Sequence, residues 1–502
     1  MPKRSAILLG ALALIYIALR FWRLSDSCLW FDEIFSVHAA EHPWSEIIPF
    51  IAKDLIHPPL FYFMLKIWIG IGGESVFWLR LLPVIFSILA LFPLWMLCRE
   101  LKLRPPAVIV TFGLFAVNGA LIKYAQEVRT YSLLLFLSVM SVWLFSRYYF
   151  RGKSFWMLVI VNIFLVNTHY FGWFVVLSEV SLILISQRIK ILRTLLMLAI
   201  TVVAFVPWVI ALAKFAEPGS SVEQNIGWMQ RPGIGKIFEL VFDLFDPFYF
   251  QQSSAEPTSF YPVAIPLLII FIAAAVLYLI NLKEQPDKEK IYFLAIFAGL
   301  PTLLVFILSW VLPVSIWGSR HLLIVFAPVT LLFAIYLTES AYERVRKILP
   351  FAIFALAAIA FVMQARTART EYIWCTWEKI ATEFAYSRNL KADEKLYAFE
   401  DLSAYHLWFA LRNTPNARVV LVQGTGLPQD TAYFLPRGFD GVEKVDEKGI
   451  EGEWISITFR TKELEPTKPP LSILSSQGYE IVETAPFSAG ESMVYLLRAK
   501  RR

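Results

Sequence analysis

Two adjacent carboxylates, Asp32 and Glu33, follow directly on an apolar stretch at residues 6–23, in the segment Ser25-Asp26-Ser27-Cys28-Leu29-Trp30-Phe31-Asp32-Glu33. That places acid groups at a membrane–water boundary, where poor solvation makes them costly and marks them for function. A positioned carboxylate can take a proton from a hydroxyl in a transition state. Basic and aromatic polar residues recur at comparable boundaries: His57, Lys66, Lys123, Arg129, His169, Tyr170, Arg231, Arg320 and His321, with a further acid at Glu127. Arginine, lysine and histidine hold phosphate, arginine through two parallel hydrogen bonds. At a bilayer surface the natural phosphate compound is a lipid phosphate. If it carries a sugar, loss of the sugar converts a phosphodiester of about one negative charge into a monoester of up to about two. Fixed cations aimed at that oxygen then favour the transition state over the ground state. One base plus a cationic cradle is thus a minimal site for inverting sugar transfer.

The elements that must position these residues are membrane helices. The chain has 502 residues, 58% hydrophobic and 17% charged, whereas a soluble domain is about a quarter charged. Apolar runs of roughly 17–25 residues predict about eleven spans, at 6–23, 76–98, 106–122, 131–147, 154–168, 171–187, 194–213, 260–281, 291–312, 322–338 and 348–364. The stretch 154–187 reads as a hairpin with Asn167-Thr168-His169-Tyr170 at its tip. With Lys3 and Arg4 in the cytoplasm, the hairpin puts Arg99, Lys102, Arg104, Arg147, Arg151, Lys153, Arg188, Lys190, Arg193, Lys283, Lys288, Lys290, Arg344, Arg346 and Lys347 in cytoplasmic loops. This is the positive-inside pattern, and a single helix over 154–187 would invert every later loop. The first helix reads as a retained signal anchor.

Residues 1–365 therefore form a transmembrane domain with two long external loops, 24–75 and 214–259. In the first, Trp44, Ile47, Ile48, Ile51 and Leu55 share one face of a helix expected to lie on the membrane interface, with Pro43 in its first turn and Pro49 kinking or splitting it. Residues 366–502 read as a small extracytoplasmic α/β domain, with strands at 395–399, 418–422, 454–459 and 493–497 and helices near 374–390, 401–412 and 469–477. Turn signals fall at Asn413-Thr414-Pro415-Asn416 and Gln423-Gly424-Thr425-Gly426. Nucleic acid is a poor partner, because the basic residues form no stripe. Cys28, Cys98 and Cys375 have no metal-ligand spacing and suggest no disulfide framework.

At this point the motifs resemble a family. Trp30-Phe31-Asp32-Glu33, His57-Pro58-Pro59-Leu60-Phe61-Tyr62, Gln126-Glu127-Val128-Arg129-Thr130-Tyr131, Thr168-His169-Tyr170 and Ser319-Arg320-His321-Leu322-Leu323 are similar to the GT-C membrane glycosyltransferases, in particular the protein O-mannosyltransferase and lipid A aminoarabinose transferase type. The resemblance covers roughly residues 1–365. It implies Asp32 as catalytic base, with Glu33 beside it, and a polyprenyl-phosphate sugar as donor. It implies an acceptor hydroxyl on a lipid, glycan or protein at the extracytoplasmic face of the inner (plasma) membrane. Arg129, Arg320 and His57 are expected to hold the donor phosphate, with Glu127, His169 and Tyr170 as substrate-binding candidates. The aminoarabinose branch has an acid-Lys pair before its two prolines, with a metal at the acid. This chain has Ile56-His57 there, so no cofactor is firmly implied and a divalent metal stays open.

Each residue also has a structural reading. Asp32 and Glu33 suit the first turn of a helix, which its dipole favours. His57 precedes two rigid prolines, Glu127 and Arg129 could pair locally, His169 could cap a hairpin, and Arg320 could snorkel. Lys66, Lys123 and Arg231 read as solvated or snorkelling. The rival function is a transporter or flippase of lipid-linked sugars, which would bind near the bilayer midplane between repeats.

Overall fold

A computed structural model describes all residues except 1, 187–190, 218–221, 234, 238–239, 241–260, 281–287, 340–342, 367–372, 387–393, 425–434 and 490–491. Most of the second long loop, the basic residues Arg188, Lys190 and Lys283, the dipeptide Thr425-Gly426 and residues 387–390 of the expected helix thus lie outside the described residues. The chain divides into two compact units: described residues of 2–24 and 39–366 form one, those of 25–38 and 373–502 the other.

The first unit is helical, with a helix at each of the expected apolar runs. Among the described residues six are long and apolar enough to cross a membrane: Lys3–Phe21, Val76–Glu100, Tyr131–Arg151, Ile191–Phe215, Lys288–Val311 and His321–Thr338. Tyr131–Arg151 and His321–Thr338 are almost wholly enclosed by neighbours. Peripheral helices instead show large apolar side chains outward, among them Leu14, Leu192, Val203, Val311 and Phe351. Apolar residues both inside and outside are what a lipid solvent requires, and the chain is a multi-pass membrane protein. The 154–187 stretch forms two helices, Phe155–Val166 and Gly172–Ser186, joined by a five-residue turn.

Polar groups inside this unit are tied down. Arg20 donates to the carbonyls of Ala116 (2.6 Å) and Phe115 (2.9 Å) and lies over the Tyr16 ring. Gln126 donates to the carbonyls of Arg20 (3.1 Å) and Trp22 (2.8 Å), anchoring the turn that carries Glu127 and Arg129 to the end of the first helix. Deeper in the bundle the Glu179 carboxylate accepts from Ser141 Oγ (2.6 Å) and Asn162 Nδ2 (2.7 Å), joining three helices. Trp68 and Trp78 stack and exchange indole-to-carbonyl hydrogen bonds, closing the turn at Gly72 and Gly73. A side chain on Gly72 would collide with Trp78, and Gly73 has φ +80°.

For the first loop, the structure excludes one of the two outcomes expected at Pro49 and adds a packing partner for its helix. Pro49 does not split its helix, which runs unbroken over Trp44–Asp54. The carbonyl that lost its N–H partner belongs to Ser45, which is exposed, so water can replace that bond. Of the apolar face, Ile47 and Ile51 are buried, and the helix packs on Ile191–Phe215, while Trp44 is exposed.

The second unit is built on a six-stranded sheet, β1 (Lys395–Ala398), β2 (Arg418–Val422), β3 (Glu443–Val445), β4 (Trp454–Thr461), β5 (Tyr479–Ala489) and β6 (Ser492–Arg501), in the order β3-β2-β1-β4-β6-β5. The first four are parallel, with Leu396 opposite both Val419 and Ser456; β6 and β5 add antiparallel, Thr458 facing Leu496. Tyr397, Val420, Ile457, Phe459, Leu474 and Leu497 form the core. Helix Asp401–Leu411 makes the β1-to-β2 crossover, and Thr376 on helix Ile373–Tyr386 donates to the Ser488 carbonyl of β5 (2.8 Å).

The cysteines also need correction, since Cys28 and Cys375 form a disulfide. Their 347-residue separation carries no spacing signal; only the fold brings their Cα atoms to 5.4 Å, within bonding range.

Candidate active site

Helix Phe31–Glu41 begins at Trp30, whose carbonyl accepts from Glu33 N (2.9 Å) and Ile34 N (3.0 Å). The Glu33 carboxylate reaches back to Trp30 N (3.2 Å) and is fully buried. This is the acidic half of a capping box, so Glu33 shapes the helix start that presents Asp32. Asp32 is half-buried in the first turn. Both lie in the second unit.

Most of the other expected residues come together in the first unit. Leu55, with φ +66°, turns the chain out of helix Trp44–Asp54, and Pro58 and Pro59 restrict the backbone after it. Tyr170 donates to the Leu55 carbonyl (3.2 Å) and accepts from Trp208 Nε1 (3.1 Å), while Leu60 N donates to the Asn167 carbonyl (3.2 Å). These bonds fasten the His57 turn to the hairpin tip. The rings of His57 and His169 lie 5.1 Å apart, and His321 is 5.4 Å beyond His169. Sequence reasoning noted His321 without giving it a role; its signal was adjacency to Arg320. The Arg320 guanidinium sits over the Trp228 ring at 5.1 Å.

Arg129, Arg320 and all three histidines are at least nine-tenths buried. Burial is the main cause that holds His57 well below the ordinary histidine range, followed by the charge of Arg129 and the neighbouring His169, His321 and Arg320. Burial likewise depresses His169, with His321, Arg129 and Arg320 adding to it. Both imidazoles are therefore neutral near pH 7. His169 Nδ1 accepts from Phe171 N (3.1 Å), which leaves the ring hydrogen on Nε2. Among the described residues that donor is buried without a hydrogen-bond partner, as are both ring nitrogens of His57. Buried N–H groups beside two guanidiniums make an environment suited to oxyanions. Burial also pushes the Tyr170 hydroxyl up to about 12, so it remains a neutral fastener.

Three further candidates resolve differently. Glu127 faces Lys123 at 3.8 Å, with both side chains buried. Lys123 is thus neither solvated nor snorkelling, because that carboxylate and the Tyr124 ring receive its ammonium. Lys66 donates to the carbonyls of Ala40 (3.2 Å) and His42 (2.6 Å), so it too is engaged by the protein. Among the described residues no three His, Cys, Asp or Glu side chains converge in a way that would hold a metal ion.

No protein-family model and no curated protein sequence matches the chain. Solved structures do. ArnT from Cupriavidus metallidurans bound to undecaprenyl phosphate superposes with TM-score 0.59 at 13% identity, over 99% of this chain and 98% of that one. Its apo form gives 0.58 at 12%, over 98% and 97%. The Archaeoglobus fulgidus oligosaccharyltransferase, solved with zinc and sulfate, gives 0.49 at 14%, over 82% of this chain and only 62% of that one. The likeness to ArnT runs nearly end to end, through helices and sheet alike, and this chain has the GT-C fold.

Proposed function

We propose that this chain is an inverting glycosyltransferase that moves a sugar from a polyprenyl-phosphate donor to an acceptor hydroxyl on a lipid, glycan or protein at the extracytoplasmic face of the inner membrane. The observation that carries the reading is the buried group of His57, His169, Arg129 and Arg320, in which the imidazole N–H donors find no acceptor among the described residues. A lipid phosphate supplies those acceptors, and ArnT, which shares the fold, has been solved with such a lipid bound. In this reading Asp32 accepts the proton of the acceptor hydroxyl. The acceptor oxygen forms a bond to the anomeric carbon from the face opposite the phosphate. The carbon–oxygen bond to phosphate breaks, and its electron pair stays on the phosphate as the second negative charge. Arg129 and Arg320 stabilise that growing charge, while the neutral imidazoles donate hydrogen bonds without pre-empting it.

The Cys28–Cys375 disulfide supports the sidedness, since such bonds persist in oxidising compartments. The positive-inside distribution supports it independently. The test compares mass spectra of envelope lipids and glycans from cells with and without the gene, then with Asp32→Asn. The expected result is a glycosyl mass increment that needs the gene and disappears in Asp32→Asn, while undecaprenyl phosphate still binds the purified variant. An increment that persists in Asp32→Asn removes the base from the scheme.

A further inference from the structure

Residues 25–38 leave the membrane unit and join the C-terminal domain, and they contain Asp32. They are held there at three points. Cys28 is bonded to Cys375, on a helix that Thr376 fastens to the sheet. Phe31 meets Tyr405 edge-on at 5.5 Å between ring centroids. His38 makes the third: its Nδ1 is 3.0 Å from the Tyr405 hydroxyl, and its ring packs against Trp408 at 4.7 Å and Phe439 at 5.6 Å. His38, Tyr405 and Phe439 are more than nine-tenths buried. Phe31 and His38 are seven residues apart, so they fall on one face of the helix. Asp32 is turned about 100° from that face. The anchors therefore grip the helix immediately before Asp32 and on both sides of it in sequence, through a face other than its own.

We infer that the C-terminal domain is a positioning element for the catalytic carboxylate: Tyr405, with Trp408 and the Cys28–Cys375 bond, fixes the helix that presents Asp32. The inference rests on the assignment of Asp32 as base. It gives the domain a part in turnover. The residues proposed to hold phosphate belong to the other unit, so a variant that loosens this grip leaves them untouched. A displacement of about 1 Å at a reacting group costs on the order of 100-fold in rate, with no corresponding loss of donor affinity.

The experiment uses the full chain in lipid nanodiscs and in cells. Three variants are compared with the parent: Tyr405→Phe, Tyr405→Ala, and the pair Cys28→Ser with Cys375→Ser. Amide exchange over residues 31–41 reads the grip. Undecaprenyl phosphate binding reads the fold of the membrane unit. The envelope mass increment reads turnover. Tyr405→Ala and the double serine variant are expected to speed exchange by about tenfold and to cut the increment by up to ~100-fold, with lipid binding within about twofold. Tyr405→Phe, which keeps the ring contacts and loses only the hydroxyl, should show an effect of about fivefold. Unchanged exchange overturns the inference, as does a parental increment despite faster exchange. Equal losses of lipid binding and increment in all three variants overturn it as well, because they show general disruption rather than positioning. If Asp32→Asn keeps its increment, the base assignment fails instead. The exchange measurement needs no turnover and still decides whether the domain holds the helix.

Discussion

Replacing Arg129 by glutamine removes one guanidinium from the proposed phosphate site and leaves a shorter, neutral amide. Arg129 is only 5% exposed and Arg320 9%, so neither is screened as a surface charge would be. The neighbouring imidazoles are neutral, because burial and the two arginines hold His57 and His169 well below the ordinary range. Of these four groups only the two arginines carry charge, so in the proposed site losing one halves the formal positive charge. A hydrogen bond to a charged partner contributes about 1.5–3 kcal/mol, and every 1.4 kcal/mol is about tenfold in affinity. Arg129→Gln should therefore weaken undecaprenyl phosphate binding by roughly 10- to 150-fold. Undecaprenol, with the same tail and no phosphate, supplies the control and should bind parent and variant alike. Arg129→Lys keeps the charge but loses the planar fork, so it should fall between the two. The measurement is lipid titration of the purified protein in nanodiscs. A phosphate-lipid dissociation constant within about twofold of the parent refutes the reasoning, as does an equal loss for undecaprenol.

The same depressed imidazoles set a pH dependence. The unfolded chain protonates His57 and His169 near pH 6.5 and the folded chain, which holds them well below that range, does not, so thermal stability of the ligand-free protein should fall on acidification below that point. In the C-terminal domain, burial raises Glu400 to about 7 despite its 2.8 Å ion pair with Arg460, and Asp401 adds to the rise. The folded state then holds a proton that the unfolded state has released, so stability falls as pH rises from about 4.5 to about 7. Glu400→Gln should abolish that slope in unfolding of the full chain followed by tryptophan fluorescence. In the bundle, Glu179→Leu should cost about 1–3 kcal/mol by leaving Asn162 without its carboxylate. Replacing Asn162 and Glu179 together by leucine should cost less than Glu179→Leu alone, which melting temperatures of the three variants would check.

Much of this protein is written in local patterns. Apolar runs of membrane length locate the helices because a backbone in lipid must satisfy its own hydrogen bonds. The β2 segment Arg418-Val419-Val420-Leu421-Val422 is legible because a parallel strand buried on both faces reads as a continuous apolar run. The edge strand β5 was not: it carries Glu480, Glu483 and Pro486 and is largely exposed, so it lacks that run. Residue type alone pointed to Asp32, Arg129, Arg320 and His57 as groups able to do chemistry. Tertiary structure decided everything that depends on who meets whom across long stretches of chain. It grouped His57, His169 and His321, which lie far apart in the chain. It joined Cys28 to Cys375 and placed His38 against Tyr405. A sequence records the chemistry each side chain carries. Its burial, its partners and its protonation come from neighbours that only folding supplies.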